Sequence, residues 1–209
     1  MSRNATASWS GYSHQGKIGL LVALGKLNSL HGTNAMLVDF TIGYETQEDV
    51  SLLHQGTPIE IHQVKAYNDS TTIGSYTSAL LAFEDCQGGN FLHSICEITN
   101  WANLTIAQNP KNVTRYLYTN GLNYCPLADI NDVIDSAIFL LLSNLNHPQS
   151  NNENWRLETF YNFLGVLDDR YLWKGLLWSP LLVQPRGSVL LYRSGPLHRS
   201  SGLYRHHIV

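Results

Sequence analysis

The chain has 209 residues, of which 44% are hydrophobic and 14% are charged, and its formal net charge at pH 7 is −3. This length fits one domain, or one domain with a fragment of a second, and the apolar content is high enough for a packed core, which excludes wholesale disorder. A net charge of −3 excludes a global basic field, so any contact with DNA has to come from a local patch. The three cysteines form no CxxC or Cys/His spacing and therefore do not predict a zinc site.

Membrane and targeting segments are not predicted either. The N-terminus lacks the apolar core of a signal peptide. The longest apolar run, residues 137–142, is far shorter than the roughly 20 residues that a membrane-spanning helix needs. We therefore expect a cytoplasmic protein that does not enter a membrane and whose thiols are reduced.

The first hundred residues predict a helix, three strands, a helix and a strand, in that order. Apolar residues at spacings of three and four predict an amphipathic helix over residues 15–30, with Ser13 as its N-cap. The other elements are strands over residues 35–44, 50–54, 59–64 and 91–99, and a helix over residues 76–86. This order predicts an α/β fold with one sheet flanked by helices, which we assign to a domain of residues 1–100.

The organisation changes after residue 100. A short strand over residues 112–118 and two amphipathic helices over residues 132–145 and 155–168 predict a second, mainly helical domain of residues 101–175, which we expect to be truncated.

The last segment, residues 176–209, has no helical or strand period and is predicted to be irregular. No Asp or Glu follows Asp169, whereas six of the 13 Lys and Arg residues do. Two interpretations stay open for this segment. It is either a basic arm for nucleic acid or a non-native terminus, such as the product of out-of-frame translation.

The second and third strands carry the clearest chemical pattern. Asp49 precedes the second strand, and Gln63-Val64-Lys65 ends the third. Strand alternation places Gln63 and Lys65 on one face and Val64 on the other. A hairpin turn centred on the Gly-Thr pair at 56–57 would place Asp49 opposite Val64, within side-chain reach of Gln63 and Lys65.

Such a group of side chains suits metal-dependent cleavage of a phosphodiester. Mg²⁺ takes hard oxygen ligands and keeps several waters. Asp49 would supply a carboxylate, and Gln63 and Val64 would supply a side-chain and a backbone carbonyl oxygen. Lys65 would position the attacking water and offset negative charge. Glu45 and Glu48 are candidates for additional ligands, and the alternative for the whole pattern is an ordinary solvated hairpin edge.

Four segments resemble a known family: WSGYSHQGKIGLLVAL at 9–24, YETQEDVSLL at 44–53, IEIHQVKAY at 59–67 and YLYTNGLNYCPLADINDVIDSAI at 116–138. They resemble bacterial anti-phage effectors with a restriction-endonuclease-like, PD-(D/E)xK, N-terminal domain. The similarity is greatest to ABC-three-component system proteins and more distant to the DUF4297-type double-stranded-DNA endonucleases. It covers roughly residues 8–145 and implies a restriction-endonuclease-like core made of a helix, a three-stranded meander, a helix and a strand.

The resemblance also implies a role for individual residues. Asp49 matches the metal-binding acid and Lys65 matches the catalytic lysine. Gln63 matches a position that is more often occupied by Asp or Glu. Glutamine at this position is a feature of the QxK variant of Mrr-like nucleases. Gln15, in the first helix, matches a polar residue that approaches the site, where many relatives carry Glu. Glutamine at two positions lowers the negative charge offered to the metal.

The function implied is that of a Mg²⁺-dependent or Mn²⁺-dependent endonuclease domain acting on double-stranded DNA in a prokaryotic defence system, together with an ATPase partner. Two alternatives stay open. One is a catalytically inactive nuclease fold that passes a signal between a sensor and the ATPase. The other is a nucleic-acid-binding domain without chemistry.

Overall fold

A computed structural model describes residues 5–33, 36–44, 48–67, 72–171, 178–183 and 189–193. Within these residues the chain forms one sheet with helices on both faces. The helices are α1 (Ala5–Leu30), α2 (Thr77–Ala82), α3 (Ile130–Asn144) and α4 (Glu153–Tyr171). The strands are β1 (Phe40–Tyr44), β2 (Val50–His54), β3 (Thr57–Lys65), β4 (Asn90–Ser94), β5 (Thr114–Arg115), β6 (Trp178–Val183) and β7 (Val189–Arg193). Short 3₁₀ helices span Leu37–Asp39, Ile73–Tyr76 and Trp101–Asn103.

The sheet is mixed. Strands β1, β2 and β3 form an antiparallel meander, β4 lies parallel to β3, and β5 lies parallel to β4. The segment between the parallel strands β3 and β4 contains α2, as expected for a parallel crossover. The predicted α/β fold and the predicted order of its first six elements are therefore present.

Two apolar clusters lie on opposite faces of the sheet. The larger one joins α1, α3 and α4 to β1 and β2, and it includes Val64 of β3. The smaller one includes Ile61 of β3, Leu92 of β4, and Leu80 of α2. Consecutive residues of a strand point to opposite faces, so the placement of Ile61 and Val64 confirms the predicted alternation along β3.

Helix α3 packs against α1. Its Ile134 and Ile138 are buried in the same cluster as Ile18 and Leu24 of α1. Asn28 of α1 also donates a hydrogen bond from Nδ2 to the carbonyl oxygen of Ala137, at 3.1 Å. The helical part after residue 100 thus shares its core with the sheet, and the division into domains near that residue stays a prediction.

Several element boundaries differ from the predicted ones. Helix α1 begins at Ala5, not near Ser13, so the predicted N-cap is an interior helical position. Strand β1 begins only at Phe40, because residues Leu37–Asp39 form a 3₁₀ turn whose Asp39 carbonyl accepts a hydrogen bond from Gln55 N at 2.7 Å. Propensity and periodicity cannot locate such ends, since backbone partners elsewhere in the chain decide them.

The described part of the last segment is not irregular. Strand β6 pairs with β1, antiparallel, and β7 pairs with β6, so the sheet order is β5-β4-β3-β2-β1-β6-β7. The prediction of an irregular segment was therefore wrong for these two strands. Their pairing is shifted between Ser179 and Leu182, and this irregularity accommodates Pro180, which cannot donate a backbone hydrogen bond to a regular ladder.

Candidate functional site

The β2–β3 hairpin turns one residue earlier than predicted. Gln55 and Gly56 have φ of 50° and 81°, which is the positive pair that a two-residue type I′ turn requires. Thr57 already belongs to β3 and pairs with His54. The predicted turn at 56–57 was wrong because a single glycine in the sequence does not reveal which of the two central positions it occupies.

A register shift between Leu52 and Leu53 then displaces the pairing, so that Val50, the first residue of β2, pairs with His62. The predicted alignment of Asp49 with Val64 is therefore one residue off. The side chain of Asp49 nevertheless reaches the backbone of Val64, because the mismatch is within the length of a carboxymethyl group.

Asp49 is held on both carboxylate oxygens. Oδ2 accepts a hydrogen bond from Val64 N at 2.6 Å, and Oδ1 accepts one from Gln15 Nε2 at 2.7 Å. Gln15 lies on α1 between buried residues, His14 and Ile18, which fix this turn of the helix in the core. Two predicted site residues from β3 and α1 thus meet at the predicted acid.

The close approach of α1 to β1 explains how Gln15 reaches the sheet. A side chain at Gly19 would overlap with the ring of Tyr44, the last residue of β1. The Tyr44 hydroxyl also donates a hydrogen bond to the carbonyl oxygen of Gly16, at 3.4 Å. Gly19 therefore lets the helix lie directly on the strand end, one turn after Gln15.

Gln63 makes the second amide–carboxylate contact. Its Nε2 donates a hydrogen bond to Glu48 Oε2 at 2.7 Å. The amide is oriented with nitrogen toward the carboxylate, because two oxygens would repel each other there. The side chain is only 6% exposed, and its Oε1 has no hydrogen-bond partner among the described residues. Such a buried orphan acceptor costs about 1–3 kcal/mol.

Burial and neighbouring charges at this end of the hairpin shift the pKa of Glu48. Burial raises the pKa of the Glu48 carboxyl, and the negative charge of Asp49 raises it further. The Lys65 ammonium and the hydrogen bond from Gln63 act in the opposite direction. Lys65 is half-buried at the last position of β3, close enough for its charge to act on Glu48.

These residues suit a divalent cation of the magnesium type. The carboxylates of Asp49 and Glu48, the Val64 carbonyl and the orphan oxygen of Gln63 are hard oxygen donors near the start of β2 and the end of β3. A cation would give Gln63 Oε1 the partner it lacks. The described residues contain no group of three or more His, Cys, Asp or Glu side chains placed to hold a metal. Glu45 lies outside the described residues.

A second polar group, which the sequence did not predict, is buried in the sheet. His62 Nδ1 and His93 Nε2 lie 3.0 Å apart, and His93 Nδ1 lies 2.9 Å from the Tyr118 hydroxyl. At the other end, His62 Nε2 is 3.5 Å from Glu60 Oε2. Both imidazoles are fully buried. Histidines within β3 and β4 were the available signal, but their partners come from separate parts of the chain.

The hydrogen bonds among His62, His93 and Tyr118 all run with the same donor-to-acceptor order. Burial lowers the pKa of both imidazoles and raises the pKa of Tyr118, so all three groups are neutral at pH 7. His62 Nε2 makes no hydrogen bond among the described residues, but the negative charge of Glu60 at 3.5 Å favours an N–H rather than a lone pair on that nitrogen. His93 then donates from Nε2 to His62, and Tyr118 donates its hydroxyl proton to His93.

We expect long-range ¹H–¹⁵N NMR at pH 7 to show both His62 and His93 as Nε2–H tautomers. Tyr118→Phe should change the His93 nitrogen shifts and lower the free energy of unfolding by about 1–3 kcal/mol, because it leaves the buried Nδ1 without a donor. Tyr116→Phe is the control, since its ring would still stack on His93 at 4.4 Å. An Nδ1–H tautomer for either histidine would contradict this assignment, in which Tyr118 donates to His93 and His93 donates to His62.

Comparisons of the chain with protein-family models, with curated proteins and with solved structures gave no match. None of the described helices is long and apolar enough to cross a membrane.

Proposed function

We propose that the chain is a restriction-endonuclease-like domain that cleaves double-stranded DNA with Mg²⁺ or Mn²⁺. The observation that carries this proposal is that Gln15 of α1 and Val64 of β3, which are far apart in sequence, both donate hydrogen bonds to the Asp49 carboxylate. Gln63, next to Val64 in β3, has a buried Oε1 without a hydrogen-bond partner among the described residues. The sequence resemblance adds a setting, a prokaryotic anti-phage system of the ABC-three-component type, with a cytoplasmic location and an ATPase partner.

Each residue has a defined task in this proposal. Asp49 and Gln63 would bind the cation through oxygen, together with the Val64 carbonyl. Gln15 holds the Asp49 carboxylate in place. Lys65, at the end of the same strand, would orient the attacking water and stabilise negative charge on the phosphate. A bound divalent cation would supply an activated water and additional charge stabilisation.

A catalytically inactive interaction module is the second candidate. The observation in its favour is that an amide donates a hydrogen bond to each carboxylate, Gln15 to Asp49 and Gln63 to Glu48. Two carboxylates with glutamine partners offer a cation less negative charge than three or four acids would. In this case the domain would pass a signal between a sensor and the ATPase by contact alone.

Nicking of supercoiled plasmid in the presence of Mg²⁺ or Mn²⁺ separates the two candidates. We expect the wild type to nick and Lys65→Ala to nick at least about 100-fold more slowly, because charge stabilisation in the transition state is lost. Lys111→Ala is the matched control, since Lys111 is paired with the exposed Asp85 at 2.7 Å.

The control should nick as fast as the wild type. Equal nicking by wild type and Lys65→Ala, or none by either while both are folded, would contradict the endonuclease proposal and favour the interaction module.

A further inference from the structure

Arg115, the last residue of β5, lies on the same face of the sheet as Gln63. The pairing of β4 with its two neighbours sets Gln63, Leu92 and Arg115 opposite one another in one row across three strands. Ile61 and Val113 are both buried in the smaller apolar cluster. Residues two positions apart in an extended chain point to the same face, so Gln63 and Arg115 lie on the face of that cluster. Two steps between strands separate their backbones by about 10 Å.

The guanidinium of Arg115 is anchored by two partners and keeps most of its donors. Its Cζ lies 5.4 Å from the centre of the Trp101 ring, and its Nη1 donates a hydrogen bond to the carbonyl oxygen of Ile98 at 3.4 Å. Ile98 is buried, and Trp101 packs against the same cluster, so neither partner is a mobile surface group. A guanidinium has N–H donors on three nitrogens, and within the described residues only Nη1 donates a hydrogen bond.

The other arginine whose side chain the structure describes is satisfied by a carboxylate. Arg156 donates from Nε and from Nη2 to the two oxygens of Asp135, at 2.8 Å and 3.0 Å. None of the ion pairs among the described residues includes Arg115. A half-buried, pre-oriented guanidinium without a carboxylate partner suits a phosphate, which it can bind through two parallel hydrogen bonds.

We propose that Arg115 binds a backbone phosphate of DNA and thereby places the duplex across the face that carries Gln63 and Lys65. The inference rests on the proposed function. Successive phosphates of one DNA strand advance about 3.4 Å along the helix axis, so about 10 Å corresponds to about three nucleotide steps from the cleaved phosphate. Lys111, three residues before β5, does not fit this role, because its ammonium is paired with Asp85 at 2.7 Å. Arg115 therefore supplies the local positive charge that a chain with a net charge of −3 needs to bind DNA.

DNA binding without cleavage tests this contact. Fluorescence anisotropy of a labelled duplex of about 20 base pairs, with the full chain in EDTA, gives the affinity between about 50 and 200 mM KCl. We expect Arg115→Gln to bind about fivefold more weakly at about 150 mM KCl. The plot of log K against log salt concentration should become shallower by about 0.9, because one phosphate contact is lost. Arg115→Lys keeps the charge and should keep the slope of the wild type. Arg156→Gln is the control, since Asp135 already occupies its guanidinium, and it should keep both affinity and slope.

An unchanged slope in Arg115→Gln, with a wild type that binds the duplex and nicks plasmid, would overturn the role of Arg115 and leave the proposed function standing. A loss of slope in Arg115→Lys equal to that in Arg115→Gln would overturn it as well, because counterion release depends on charge. Unequal losses of affinity on two duplexes of unrelated sequence would overturn the phosphate contact in favour of a contact to a base.

Thermal unfolding verifies that each variant is folded. If Arg115→Gln does not fold, Arg115→Met, which keeps the packing against Trp101, takes its place with the same expected results. A wild type that binds no duplex would overturn the inference, and plasmid nicking then decides separately on the proposed function.

Discussion

Replacing Asp49 with asparagine is expected to reduce plasmid nicking by about 100-fold or more and to lower the free energy of unfolding by about 1–3 kcal/mol. Both carboxylate oxygens accept short hydrogen bonds, from Val64 N and from Gln15 Nε2. Asparagine keeps one acceptor but replaces the other with an NH₂ group, which would face one of these donors. The variant also removes the carboxylate that the proposed cation needs most.

Plasmid nicking and urea unfolding measure the two effects of Asp49→Asn separately. Asp85→Asn is the control, since its carboxylate is 87% exposed and pairs only at the surface with Lys111. Asp85→Asn should lower the free energy of unfolding by between about 0 and 1 kcal/mol and leave nicking unchanged. A fully active Asp49→Asn variant would remove Asp49 from the proposed site, whatever its stability.

Ile134→Ala is expected to lower the free energy of unfolding of the whole chain by about 2–5 kcal/mol. Ile134 is fully buried and lies in the cluster that joins α3 to α1 and the sheet. Truncating it leaves a cavity within a core that both parts share. The sheet and the helices should therefore unfold together, in one transition, at a lower urea concentration.

Leu140→Ala on the same helix is the control for Ile134→Ala. Leu140 is 46% exposed, so its truncation should change stability much less. Two separate unfolding transitions, with only one of them shifted by Ile134→Ala, would instead support the predicted division near residue 100. Fluorescence and far-ultraviolet circular dichroism distinguish the two outcomes when their transitions are compared.

In the proposed site, two amides reduce the repulsion between two neighbouring carboxylates. Asp49 and Glu48 are adjacent in the chain, and their repulsion contributes to the raised pKa of Glu48. The amides of Gln15 and Gln63 each donate to one of them and so reduce the cost of keeping both charges at the end of the hairpin. These two hydrogen bonds therefore hold both carboxylates in position at the end of the hairpin.

The sequence by itself determined the features that depend on neighbours along the chain. Period-two alternation placed Ile61, Gln63 and Lys65 on one face of β3 and His62 and Val64 on the other, because consecutive residues of a regular strand point to opposite faces. The order of helices and strands in the first hundred residues followed from local periodicity as well. Those features were enough to select Asp49, Gln63 and Lys65 as candidates.

Tertiary structure decided the features that depend on residues distant in sequence. Gln15 meets Asp49 only because Gly19 lets α1 lie against β1, and His93 meets Tyr118 only because the chain after β5 returns across β4. The turn position and the register shift in the hairpin likewise arise from pairing between strands. No local pattern encodes these contacts, since their energies come from packing and hydrogen bonds that exist only once the sheet has formed.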